Sequence, residues 1–178
     1  MPSMPGFRAW NDGNVLADHD GLPRIWFHGS DAEADFNVFA SWDEAGRGFH
    51  FSTLASAHGR LAIINRMGPP DERLIGRLIP AVARARNPLR LRDHHAWRID
   101  SVAEELASLG VVTPAVAESL QTDGEAASLF AALEMAGHDA VVYANAVEGD
   151  PGADSLMACG VAWAVTTHPG PNSGAPSR

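Results

Sequence analysis

Two short segments of this chain each combine an imidazole, a glycine and a hydroxyl: His28-Gly29-Ser30 and Gly48-Phe49-His50-Phe51-Ser52. An imidazole at a strand end can stack on a ring and can donate or accept hydrogen bonds. A glycine beside it lets a ligand approach the backbone closely. Either segment alone reads better as a structural histidine, but two such edges near each other predict a pocket. Other common chemistries lack their signatures. The chain has no glycine-rich phosphate loop, no His-Glu-x-x-His helix and no Gly-x-Ser-x-Gly elbow. His94 and His95 are adjacent and should point apart, while His50 and His58 lack a third ligand, so no metal is expected.

The elements that must position these residues follow from pattern and punctuation. Arg24 to His28, entered through Pro23 and closed by Gly29, reads as a first strand, and Gly48 to Ser52 as another. Between them, Ser30 to Gly48 holds Phe36, Phe39 and Trp42 among acids and glycines. That mixture predicts a loop that packs over something. Ser52 or Thr53 can cap a helix running to about Met67, with Leu54, Ala57, Leu61 and Ile64 on one face and Gly68-Pro69-Pro70 ending it. Leu74 to Ala85 is a strand whose Pro80 belongs at a bulge or an edge, and Asn87 to Leu91 continues as a short extended piece. Three helix starts come next: a capping-box spacing at Ser101, Thr113-Pro114, and Asp123 heading a segment that ends at Gly137. Asp139 to Tyr143 is a strand, 144–154 a polar loop, and 155–167 one or two final strands. Strands at both ends with helices between them predict an α+β domain, a mostly antiparallel sheet folded around a cleft. Its limits are 23–168, with 1–22 as a lead-in and 169–178 as a flexible tail poor in apolar residues.

With 178 residues, 46% hydrophobic and 20% charged, the chain can bury a core without staples. The single cysteine, Cys159, cannot form an internal disulfide and reads as a small core residue in a reducing compartment. The opening Met1-Pro2-Ser3-Met4-Pro5-Gly6 has no basic region leading into an apolar run, and no stretch approaches a membrane span. A cytoplasmic protein without signal peptide, transmembrane segment or membrane partner is therefore expected. A net charge of −9 opposes nonspecific nucleic-acid binding and favours a protein or small-molecule partner. Arg84, Arg86, Arg90 and Arg92 read as solvent-facing positions on alternating strand sites.

Read in order, these segments resemble the ADP-ribosyltransferase superfamily, particularly the domains of phage and mobile-element polyvalent proteins. The resemblance is carried by Phe27-His28-Gly29-Ser30, Asp35-Phe36-x-x-Phe39 and Gly48-Phe49-His50-Phe51-Ser52-x-x-x-x-Ala57. It continues through Asn87-Pro88-Leu89-Arg90-Leu91-x-Asp93 with Trp97, Ala136-Gly137-His138-Asp139-Ala140-Val141-Val142-Tyr143, and Asn145-x-x-Glu148-Gly149 with Asp154-Ser155.

The resemblance implies a split β-sandwich with helices around an NAD cleft, NAD as substrate, and no metal. It implies that His28 bonds the adenosine ribose and that the Gly29 backbone holds the nicotinamide amide. Ser30, Phe39, Phe51, Ser52, Ala57 and Asn145 would line the rest of the NAD site. His50 stands where many members carry a tyrosine that stacks on nicotinamide, and it also invites comparison with RNA 2′-phosphotransferases, which use paired histidines. Breaking the nicotinamide–ribose bond creates an oxocarbenium-like centre that a carboxylate stabilises. Glu148 matches the acidic position best and Asp154 is the reserve. In many members the acid opens the last strand, where Ser155 stands here; Glu148-Gly149-Asp150 also reads as a plain acidic turn. The implied activity is transfer of ADP-ribose to a macromolecular acceptor, protein rather than nucleic acid. The alternatives are NAD hydrolysis with water as acceptor, and an interaction domain of the same fold that has lost its chemistry. A bacterial or phage toxin or effector, held by an antitoxin or inhibitor, is the implied setting.

Overall fold

A computed structural model describes residues 9–18, 20–30, 38–39, 49–67, 76–95, 97–148, 150–158 and 162–164. Strands form where the β-branched and aromatic runs predict them at β1 (Ile25–Ser30), β3 (Phe49–Phe51), β4 (Arg77–Ala83) and β5 (Pro88–Leu91), while β2 (Val38–Phe39) forms inside the stretch expected to be a loop. Helix α1 (Leu54–Met67) follows β3 directly. The Thr53 hydroxyl accepts the Ser56 N–H at 3.2 Å, which makes Thr53 its cap. The centre of the chain forms α2 (Ile99–Ser108), α3 (Pro114–Asp123) and α4 (Ala126–Met135), and the end forms β6 (Ala140–Ala144), β7 (Asp154–Ala158) and β8 (Ala162–Ala164).

The strands make two four-stranded sheets, ordered β1-β4-β8-β2 and β3-β7-β6-β5. The pairings are antiparallel except β5 with β6. A parallel pair needs a long crossover, and α2 to α4 supply it, which is why the helical middle of the chain lies on the second sheet. The protein is thus α+β, with two sheets as its β part. The sheets touch edge to edge at a bridge in which Phe27 and Ser52 exchange both backbone hydrogen bonds at 2.9 Å.

Alternation sorts the side chains into two cores. Trp26, Ala81 and Ala83 of the first sheet meet Phe51, Val142 and Leu156 of the second. On the other face of the second sheet, Leu91, Val141 and Met157 pack against Val102, Leu106, Leu120, Leu129, Phe130 and Leu133 from the helices. Helix α1 lies on β1 and β4 by way of Leu61: a Cβ at Gly29 or Gly76 would come within 2.9 Å of its side chain. The missing side chain at Gly29 is thus needed for helix packing.

Several details depart from the sequence expectations. Pro80 lies at no bulge, because the register from Ile25↔Val82 to Ser30↔Arg77 is unbroken, and on the β8 side the described pairing covers Ala81 to Ala83 and stops short of Pro80. Phe27, its partner, turns its N–H and C=O toward Ser52, so this pair asks no N–H of the proline. Ser101 does not cap α2. The helix starts at Ile99 with Arg98 at the cap position, and the Ser101 hydroxyl donates to the Arg98 carbonyl at 2.9 Å. Asp123 closes α3, and α4 starts at Ala126 behind Glu125. The Thr113 hydroxyl does cap α3, with Pro114 at its first position. Leu54 is 52% exposed and leaves the buried face to Ala57. Of the four arginines, Arg90 stands on a strand, whereas Arg84 lies over the Trp10 ring at 5.5 Å. The 30–48 loop lies largely outside the described residues, as do Gly68-Pro69-Pro70, Leu74, Cys159 and the 169–178 tail. Among the described residues no helix is long and apolar enough to cross a membrane.

Candidate active site

The register of the second sheet determines which side chains share a face. His50 pairs with Met157, Met157 with Val141, and Tyr143 with Ser155. These positions lie on the helix-covered face, since Val141 and Met157 belong to the helical core. There the Tyr143 hydroxyl lies 3.4 Å from His50 Nδ1, reaching it across β7. The Trp97 ring stands edge-on to Tyr143, 4.7 Å between centroids, and 6.2 Å from His50. Behind Trp97, His94 Nε2 meets the Glu105 carboxylate at 2.5 Å with its side chain 3% exposed.

Glu148 is held in the loop after β6 by two partners. Arg60 Nη1 donates to its Oε1 at 3.2 Å and Asn145 Nδ2 donates to its Oε2 at 3.0 Å. Asn145 is buried, and its Oδ1 accepts the N–H groups of Val147 and Glu148 at 2.9 and 2.8 Å. Both ends of that amide are thus engaged in shaping the turn that presents the acid.

A cavity of about 470 Å³ opens beside this cluster, lined by His50, Arg60, Trp97, Arg98 and Phe130 among others. Arg60 joins it to the acid: the same side chain lines the cavity and bonds Glu148. Its walls pair aromatic and aliphatic surface with cationic and imidazole groups, the composition of a site for a ring-bearing, polar ligand.

The other residues singled out from sequence are spread around this centre. His28 Nδ1 lies 2.8 Å from the His50 carbonyl oxygen, but the His28 ring packs on Phe49 and Phe51 at 5.9 and 5.6 Å. By the pleat, that is the opposite face of β3 from the His50 ring. Phe51 is core, Ser52 forms the bridge between the sheets, and Ala57 is buried on α1. Ser30 and Phe39 lie on β1 and β2. Asp154 is gripped in bidentate fashion by Arg90 at 2.9 and 3.0 Å. It sits an odd number of residues from Met157, hence on the face away from His50. Among the described residues no cluster of three or more His, Cys, Asp or Glu is placed to share a metal ion.

Sequence reasoning overlooked Tyr143 and Arg60 as site residues. Tyr143 is the chain's one tyrosine. Arg60 stands one helical turn from Ser56, which is fully buried, so their shared face could have placed the arginine stem inward. Burial pushes the Tyr143 phenol from its ordinary 10.0 up to about 12, with the Glu148 charge adding and Arg60 countering. It therefore stays protonated and can donate to His50 at any physiological pH. A raised phenol pKa favours the folded state fully below pH 10, and that contribution is lost as pH climbs from 10 toward 12. Phenolate absorbance of the native protein should thus appear near pH 12, and near pH 10 after denaturation. With one tyrosine the signal has a single source, and a native midpoint near 10 contradicts the buried placement.

No family model, no curated protein and no solved structure matches this chain.

Proposed function

We propose that this chain is an NAD-consuming ADP-ribosyltransferase on an ADP-ribosyltransferase-like split β-sandwich, which moves ADP-ribose from NAD to a protein acceptor and releases nicotinamide. The observation that carries this reading is the position of Glu148, bonded to the Arg60 that lines the same cavity as His50. In the reaction the bond from the ribose carbon to the nicotinamide nitrogen breaks and its electron pair leaves with nicotinamide. The carboxylate stabilises the cationic ribose until the acceptor nucleophile attacks. Trp97, which lines the cavity with His50, supplies the aromatic surface that the imidazole lacks. The acidic net charge of −9 favours a protein over nucleic acid as acceptor.

One observation favours a second reading, an interaction domain of the same fold that has lost its chemistry. Position 155, where many members of the superfamily this chain resembles carry the acid, is a buried serine here. Incubation with adenine-labelled NAD and candidate acceptors separates the readings. Nicotinamide release with label on a protein supports transfer, and release with free ADP-ribose supports hydrolysis. Absence of both release and calorimetric binding supports the noncatalytic reading, while binding without release rejects transfer and hydrolysis alike.

A further inference from the structure

The loop that lines the cavity with Trp97 and the loop that carries Glu148 meet at one carboxylate. Asp93 follows β5, and its side chain is 8% exposed. Its Oδ1 accepts the His95 N–H at 2.8 Å, and its Oδ2 accepts the Ala146 N–H at 2.8 Å. The first bond secures a turn in which His95 and Trp97 have φ of 54° and 49°. Residues with side chains hold such left-handed conformations only where their surroundings enforce them, and such outliers cluster at functional sites. This turn delivers His95, Trp97 and Arg98 to the cavity. The second bond anchors the loop that carries Glu148 just past Ala146.

We propose that Asp93 is a positioning residue of the site, a single buried carboxylate that fixes the aromatic wall around Trp97 relative to the acid Glu148. The inference rests on the assignment of Glu148 made above. The geometry explains why an acid is required. Both partners are backbone N–H donors that reach different oxygens of Asp93, and a carboxylate carries acceptors on both terminal atoms where an amide of that size carries one acceptor and one donor. Ordering the two loops independently would leave the distance from ring to acid unset, and a displacement of about 1 Å in such a site costs about a hundredfold in rate.

The test uses the full chain and pairs a structural readout with a kinetic one. In Asp93→Ala the amide resonances of His95 and Ala146 should both move upfield, while those of β1 stay in place. The kcat for nicotinamide release should fall about a hundredfold. Adding Asp93→Ala to Glu148→Gln should leave kcat where Glu148→Gln alone puts it, because a missing charge cannot be misplaced further. A purely structural residue would instead give losses that multiply, and that result overturns the proposal. If the alanine variant fails to fold, Asp93→Asn keeps one acceptor and should shift one of the two amides; neither amide shifting overturns it as well. A wild-type protein that releases no nicotinamide defeats the assignment of Glu148, whereas the amide shifts still decide whether Asp93 joins the loops.

Discussion

Replacing Glu148 by glutamine should lower nicotinamide release from NAD by about a hundredfold to a thousandfold while leaving NAD affinity nearly intact. The substitution is close to isosteric and leaves the turn built on Asn145 Oδ1 untouched, although the amide keeps one acceptor oxygen for the two donors Arg60 and Asn145 Nδ2. What disappears is the negative charge, and the penalty falls on the step in which positive charge develops on ribose. Removing one preorganised electrostatic partner typically costs about 10²–10³ in kcat. The effect must appear in kcat, because ground-state NAD carries little of that ribose charge. Asp154→Asn, by contrast, should leave nicotinamide release within about threefold of wild type. That carboxylate is bound to Arg90 on the opposite face of β7 from the cavity, and an exposed pair of this kind contributes little. Undiminished release by Glu148→Gln, or a collapse on Asp154→Asn, moves the acid to Asp154 at the start of β7 and removes the assignment to Glu148.

The largest stability effect should come from Trp26→Ala. Trp26, the second residue of β1, is 1% exposed and fills the space between the two sheets with Phe51, Ala81 and Leu156. The alanines facing it across the first sheet cannot expand into the void, so truncation should cost about 3–5 kcal/mol. That is a large share of a typical domain's net stability, and the thermal midpoint should drop by roughly 10 °C. Trp26→Phe should cost much less, for a specific reason. The indole N–H of Trp26 has no hydrogen-bond partner among the described residues, and removing an orphaned buried donor recovers part of what the lost area costs. Urea titration of both variants checks this order. Equal losses for Ala and Phe would show that the N–H is satisfied and that the sheet-to-sheet core is looser than drawn.

The legible parts of this protein were those governed by local rules. The strand around His28, the Thr53 cap and the Thr113-Pro114 start of α3 follow from neighbours within a few residues. Ser101 and Asp123 misled for the complementary reason. Each has the chemistry of a cap, yet α2 starts where Ile99 can reach the helical core, and Ser128 donates to Asp123 from α4 after α3 has already ended. Burial outweighs a capping bond of about 1 kcal/mol.

Residue order by itself determined that two imidazole-bearing strands open the domain, that helices fill its middle, and that an acid-bearing loop precedes its last strands. It could not determine which of these side chains meet, because register and pleat arise from pairings between distant segments. The pleat puts the His28 ring on one face of β3 and His50 on the other, and turns Asp154 toward Arg90. The crossover from β5 to β6 brings Trp97 over Tyr143, and the packing of α1 carries Arg60 to Glu148. Each of these contacts depends on strand order and helix docking, which the local pattern of one segment does not encode.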